Sequence, residues 1–161
     1  MRKKLSSMIT GSLFTLSILL GGNAMAQTIQ DQNKAIIGQF AEEVFINKDL
    51  TGLDRYLLED YIQHNPLAEQ GLSGFYTFFK NWFEGVPDFE YTLKKIIADE
   101  DSVWVYGTYS GTQTGDWLGI PATNKPYSID AVDIFRIEEG KLAEHWDVID
   151  IYTLFKQLGT L

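Results

Sequence analysis

Apolar residues return every three or four positions in some stretches of this chain and every second position in others. Between positions 33 and 47 they fall at Ile36, Ile37, Phe40, Ala41, Val44 and Phe45, the stripe of an amphipathic helix. Asp31 is the expected N-cap, and Asn47-Lys48-Asp49 closes the helix. Residues 50–58 predict a short second helix with Leu53, Tyr56 and Leu57 on one side, and residues 60–66 an extended stretch. Residues 72–85 are dense in aromatics, and the spacing of Phe75, Phe78/Phe79 and Trp82/Phe83 is again helical.

After Gly85-Val86-Pro87-Asp88 the period changes to two. Segments 89–98, 102–113, 127–138 and 141–149 alternate and carry β-branched and aromatic residues, so they predict strands. Residues 99–101 form a turn, 114–126 a longer Gly/Pro loop, and 151–158 a short closing helix. Helices first and strands second imply an α+β fold. The expected architecture is one domain with a curved antiparallel sheet, the N-terminal helices over one face and the aromatic helix in the concavity.

One strand face carries the most informative residue. Tyr127, Ile129, Ala131, Asp133, Phe135 and Ile137 share a face, and Asp133 alone among them is charged. Desolvation raises the pKa of such a carboxylate, which suits a general acid or base. The hairpin through Glu138-Glu139-Gly140 decides what stands across from it. A three-residue loop with Gly140 in the left-handed position puts Asp133 opposite His145, Phe135 opposite Ala143 and Ala131 opposite Asp147. A two-residue loop puts Asp133 opposite Trp146 and asks Glu139 for a positive φ, which a side chain resists. The same Asp133–His145 pair also reads as a fixed structural contact.

Composition narrows the chemistry. The 161 residues contain no Cys and only 2 His, so disulfide, thiolate-metal and cysteine-nucleophile readings fall away. His64, in Gln63-His64-Asn65-Pro66, sits where a pocket could begin. The two histidines and the carboxylates show no compact ligand spacing, so no metal site is expected. A net charge of -9 argues against a nucleic-acid partner. Residues 1–26 look like a secretory signal. Arg2, Lys3 and Lys4 precede an apolar run, and Ala24-Met25-Ala26 supplies the small residues of a cleavage site. Removing those 26 from the 161 leaves 135, with 10 basic against 22 acidic residues and a charge of −12. The expectation is a periplasmic or secreted bacterial protein with no membrane anchor after cleavage, stable without disulfides.

Several short motifs carry a resemblance over roughly residues 33–158. They are His64-Asn65-Pro66, Gly111-Thr112-Gln113-Thr114-Gly115 with Gly119-Ile120-Pro121, Asp133-Ile134-Phe135-Arg136 with Gly140-Lys141, and Glu144-His145-Trp146-Asp147. In order and spacing they resemble the SnoaL-like polyketide cyclases, a family of the nuclear-transport-factor-2-like superfamily. The resemblance implies a cone-shaped α+β barrel with a deep apolar pocket, no cofactor, and an aspartate acting as acid/base, matched here by Asp133. His64 and His145 match pocket-lining positions, and Gln113 stands where many members carry His. The expected function is a cofactor-free cyclase, isomerase or dehydratase acting on a small apolar carbonyl compound, with Asp133, His145 and His64 catalytic. Asn65, Phe79, Trp82, Phe83, Trp117, Phe135, Trp146 and Asp147 are the expected lining residues. The alternative is a periplasmic binder of a small hydrophobic ligand without turnover. A homodimer through the exposed sheet face is the expected assembly.

Overall fold

The computed structural model describes residues 28–161; the expected signal segment and its cleavage site lie outside the described residues. Helix α1 spans Ile29–Ala41 and runs on into a wider π-type turn, Glu42–Ile46. The wider turn lets the neighbours Val44 and Phe45 both enter the core. The cap is Thr28 rather than Asp31. Its hydroxyl oxygen accepts from the Asp31 N–H and its O–H donates to the Asp31 carboxylate, satisfying an orphan donor of the first turn. The helix expected over 50–58 is only a 3-10 turn, Leu53–Arg55. Leu57 already belongs to strand β1, Leu57–Gln63, because the Leu142 N–H bonds the Tyr56 carbonyl and draws the chain into the sheet.

Helix α2, Gly71–Gly85, follows, and then β2 (Glu90–Asp99), β3 (Ser102–Gln113), β4 (Lys125–Glu138), β5 (Lys141–Ile149) and α3 (Ile151–Leu158). The five strands form one sheet in the order β1-β5-β4-β3-β2. The last four make the expected antiparallel meander, but β1 joins the edge parallel to β5. The sheet is therefore mixed within an α+β fold. No helix among the described residues is long and apolar enough to cross a membrane.

The inner face of the sheet holds the core. Val103, Val105 and Tyr109 of β3 and Tyr127, Ile129, Ala131, Phe135 and Ile137 of β4 are buried against Phe40, Phe75, Phe79 and Trp82 from the helices. Each fully buried aromatic contributes about 1.5–3 kcal/mol. The buried Trp82 indole N–H donates to the Tyr127 hydroxyl at 2.7 Å, so its burial leaves no donor unmet.

The β4–β5 hairpin opens in the two-residue register and then leaves it at a bulge, so neither expected partner stands opposite Asp133. Glu138 pairs with Lys141 across a two-residue turn, with Glu139 at φ 52 and Gly140 at φ 75. A side chain in that region costs about 1–2 kcal/mol, and the strand pairing offsets it. Ala143 is then an extra residue in β5: Ile137 faces Leu142 while Arg136 faces Glu144. This bulge buries Leu142 and Ala143 together and moves the rest of β5 by one position. Asp133 consequently faces Asp147, Phe135 faces His145 and Ala131 faces Ile149. His145 stays on the inner face as the diagonal neighbour of Asp133.

Candidate active site

Asp133 is buried at 5% exposure, and both its carboxylate oxygens have partners. Oδ2 accepts the Tyr109 hydroxyl at 2.7 Å, and Oδ1 lies 3.2 Å from His145 Nε2. Tyr109 comes from β3, two residues along the inner face from Gly107. Burial, reinforced by the nearby Asp133 charge, holds its phenol well above the usual tyrosine range, so it remains a donor. The His145 ring stacks on Phe135, centroids 4.7 Å apart. Its Nδ1 lies 3.0 Å from Gln63 Oε1.

Gln63 ends β1 directly beside His145 in the parallel pairing. Its Oε1 also accepts the Asn65 backbone N–H at 2.9 Å. Its own backbone is clipped by Gln70, whose side chain accepts from the Gln63 N–H at 3.0 Å and donates to the Gln63 carbonyl at 2.6 Å. Gly74 in α2 makes room for this segment, since a Cβ there would stand 2.1 Å from the Glu69 carbonyl oxygen. Asn65 in turn donates through Nδ2 to Asp147 Oδ2 at 2.5 Å. Burial raises the Asp147 pKa, and the facing Asp133 charge adds to this against the lowering effect of Asn65 and His145.

A narrow cavity of about 20 Å³ meets this group, lined by Gln63, Asn65, Ala68, Phe78, Phe79, Trp82, Tyr109, Asp133, His145, Asp147 and Ile149. That space suits one water rather than a substrate, so the deep pocket implied by the resemblance is here closed down by aromatic side chains. On the far side of Phe78 an open groove of about 270 Å³ runs past Leu67, Ala68, Thr77, Trp117 and Leu118. Phe78 and Ala68 line both spaces.

Of the expected site residues, Asp133, His145, Asn65, Asp147, Phe79 and Trp82 come together here, and Phe135 supports the imidazole. His64 and Trp146 do not reach the cavity. Alternation along β1 and β5 turns both to the outer face, where their rings stack at 4.4 Å and His64 Nε2 pairs with Glu144 at 3.0 Å. His64 thus faces away from the cavity that Asp133 lines. Trp117 packs on Trp82 and Tyr127 and lines the outer groove instead, and Phe83 packs on Phe79 and Phe89. Gln113, fully buried, spends its amide on the Ile120 and Pro121 carbonyls and on Thr123. It staples the 114–124 loop rather than serving the cavity.

Gln63 and Tyr109 belong to the group but were not among the expected site residues. Strand parity could have found both: Gln63 precedes His64 by one position and so takes the opposite face, and Tyr109 lies an even number of residues from the apolar Val103 and Val105. Asp133, His145 and Asp147 also place three donor atoms within 4.8 Å of one another. Here His145 Nε2 and Asp133 Oδ1 engage each other, and Asn65 holds one oxygen of Asp147.

Fold and site define a nuclear-transport-factor-2-like α+β domain with a buried Asp–His–Tyr group on the inner sheet face. A family model for SnoaL-like polyketide cyclases matches residues 35–158, and the chain belongs to that family. It is 29% identical over 111 residues to the aklanonic acid methyl ester cyclase DauD of Streptomyces sp. (strain C5), covering 66% of this chain and 66% of that protein, just under two thirds. It is 28% identical over 111 residues to the nogalonic acid methyl ester cyclase of Streptomyces nogalater, covering 66% of this chain and 83% of that one. The solved structure of TsrD from Streptomyces laurentii superposes with a TM-score of 0.74 at 34% identity, over 81% of this chain and 96% of TsrD.

Proposed function

We propose that this protein is a cofactor-free acid/base enzyme that acts on a carbonyl compound, with Asp133 as the proton acceptor. The observation that supports the reading is the buried Asp133 carboxylate held between Tyr109 and His145 at the end of a cavity. Asp133 takes a proton from the carbon next to a carbonyl. The hydroxyl of Tyr109 and the His145 ring counter the charge that develops on the enolate. Asn65 and Asp147 line the same cavity, Asp147 directly across the strand pair from Asp133. Substrate reaches Asp133 when Phe78, which stands between the wide groove and the narrow cavity, swings aside.

Two assays test this together. One follows conversion of aklanonic acid methyl ester and nogalonic acid methyl ester, the compounds in the names of the two relatives. The other follows deuterium uptake next to the carbonyl of an apolar 1,3-diketone in D2O. Exchange that depends on Asp133 supports the reading. Binding in the groove with no exchange or conversion supports the second reading, a ligand-holding protein. The disparity between the roomy groove and the single-water cavity favours that alternative.

Export belongs to the same proposal, and a mature N-terminus at Gln27 in protein recovered from cells would support it. So does self-association. The outer sheet face exposes Trp104, Tyr106, Trp146 and Val148, a patch suited to a second copy. Sedimentation velocity with Trp104→Glu, which would shift the protein to monomer, tests it.

A further inference from the structure

Gln63 Oε1 faces two groups at once, the Asn65 backbone N–H at 2.9 Å and His145 Nδ1 at 3.0 Å. The backbone N–H is a donor in every state. Turning the Gln63 amide over would set its NH2 against that donor, so the oxygen must stay where it is. An amide oxygen only accepts. His145 Nδ1 therefore carries a proton whether the ring is neutral or charged. The clip from Gln70 and the burial of Gln63 at 5% exposure prevent the arrangement from relaxing into water.

The consequence falls on the other nitrogen. With Nδ1 protonated, a neutral His145 offers Nε2 as an acceptor toward Asp133 Oδ1, 3.2 Å away. Two acceptors cannot share a hydrogen bond, so one proton must lie between them, on Nε2 or on Oδ1. We propose that Gln63 is a positioning residue that fixes the His145 tautomer and thereby obliges the Asp133–His145 pair to hold one mobile proton. This rests on the acid/base reading above. In the charge-separated form, Asp133 is a carboxylate ready to accept the substrate's proton, while the imidazolium faces the developing enolate. When the proton returns from Asp133 to the product, the pair is back in its starting state, and no other reactant is consumed.

The groups that face the ring from the surrounding elements are Asp133 from β4, Asp147 from β5, Tyr109 from β3 and Tyr61 from β1, while α2 presents only Phe78, Phe79 and Trp82. Gln63 is uncharged among them, so Gln63→Leu tests hydrogen bonding without adding a charge, whereas Gln63→Glu keeps an acceptor and adds one.

The chain has only 2 His, so long-range 1H–15N correlation spectra of 15N-histidine-labelled protein resolve each ring, with exposed His64 as the internal reference. The expected wild-type result, at every pH where the fold persists, is a protonated Nδ1 on His145. Nε2 is either protonated or bare. In Gln63→Leu a neutral ring with bare Nδ1 and protonated Nε2 takes over. A bare Nδ1 in the wild type, or a Gln63→Leu spectrum identical to wild type, overturns the proposal. Gln63→Glu, which keeps an acceptor, retains the protonated Nδ1. If Gln63→Leu does not fold, the wild-type and Gln63→Glu spectra still decide.

The kinetic readout is separate. The pH profile of diketone exchange should move to lower pH in Gln63→Leu and to higher pH in Gln63→Glu. If the spectra match and no exchange is seen in any variant, the tautomer assignment stands and the enzymatic reading fails. If exchange needs Asp133 but Nδ1 is bare, the positioning role fails and the enzymatic reading stands.

Discussion

Asp130 and Asp133 stand three residues apart on β4, on opposite faces of the same sheet. Both carboxylates are hydrogen-bonded. Asp130, exposed, accepts from Lys94 at 2.6 Å, Tyr106 at 2.6 Å and Thr108 at 2.7 Å. These partners, the Lys94 side chain foremost, hold its carboxyl far below the usual range. Among the described residues Asp133 has only Tyr109 and His145 as hydrogen-bond partners, with no lysine or arginine. Two hydrogen-bonded carboxylates on one strand thus stand in opposite electrostatic settings. The Lys94 ammonium and two hydroxyl donors favour the ionised form of Asp130. Asp133 is instead buried between a phenol and an imidazole, the setting that the proposed proton transfer uses.

The comparison can be broken most severely by adding a carboxylate to each face. Ile129→Asp places an unpaired charge at a buried inner position, and should cost at least about 4 kcal/mol. Ser128→Asp, one residue away on the outer face, should change stability by under about 0.5 kcal/mol. Urea titration of the pair checks both; equal costs would mean that the two faces do not differ in solvation as described.

Next in size is Tyr109→Phe. It leaves Asp133 Oδ2 without its donor in a dry setting, which should cost about 1–3 kcal/mol in the same titration.

Asp147→Asn should act in the opposite direction. Because its folded pKa is raised, the folded protein binds a proton more readily than the unfolded chain. Stability is therefore lost as pH rises from the unfolded value near 3.8 through the folded one, and the loss is complete above both. The variant should be more stable than wild type at pH 7 by about 1 kcal/mol or less, and this advantage should vanish below about pH 4. Thermal melts across pH 3–8 decide; a gain that grows toward low pH contradicts the account.

The smallest effect belongs to Asp130→Asn. Its ion pair with Lys94 is at the surface, so the melting temperature should fall slightly in low salt and match wild type in 0.5 M NaCl, since salt screens exposed pairs.

These contrasts also explain what the sequence made legible. Period two along residues 127–138 puts Asp133 on the apolar face, and Asp130, an odd number of positions away, falls on the other side by the same count. The α+β class and the strands 102–113 and 141–149 followed from the same alternation. The register did not, because the extra Ala143 is a small apolar residue whose sequence looks like ordinary strand. Nor did β1, whose edge position is decided by distant pairing with β5 rather than by its own pattern. That parallel pairing is what brings Gln63 to His145 and carries His64 away from it. Neighbours in sequence were read as neighbours in the site, yet strand geometry sends them to opposite faces.

The proposed chemistry requires Asp133, and not its exposed counterpart Asp130, to move a proton. The most direct test measures deuterium uptake next to the carbonyl of the diketone, or conversion of the two methyl esters, in wild type, Asp133→Asn and Asp130→Asn. Folding is confirmed for each by its melt. The account predicts that Asp133→Asn loses about 10²–10⁴ in rate while Asp130→Asn keeps the wild-type rate. Full activity in folded Asp133→Asn would contradict it.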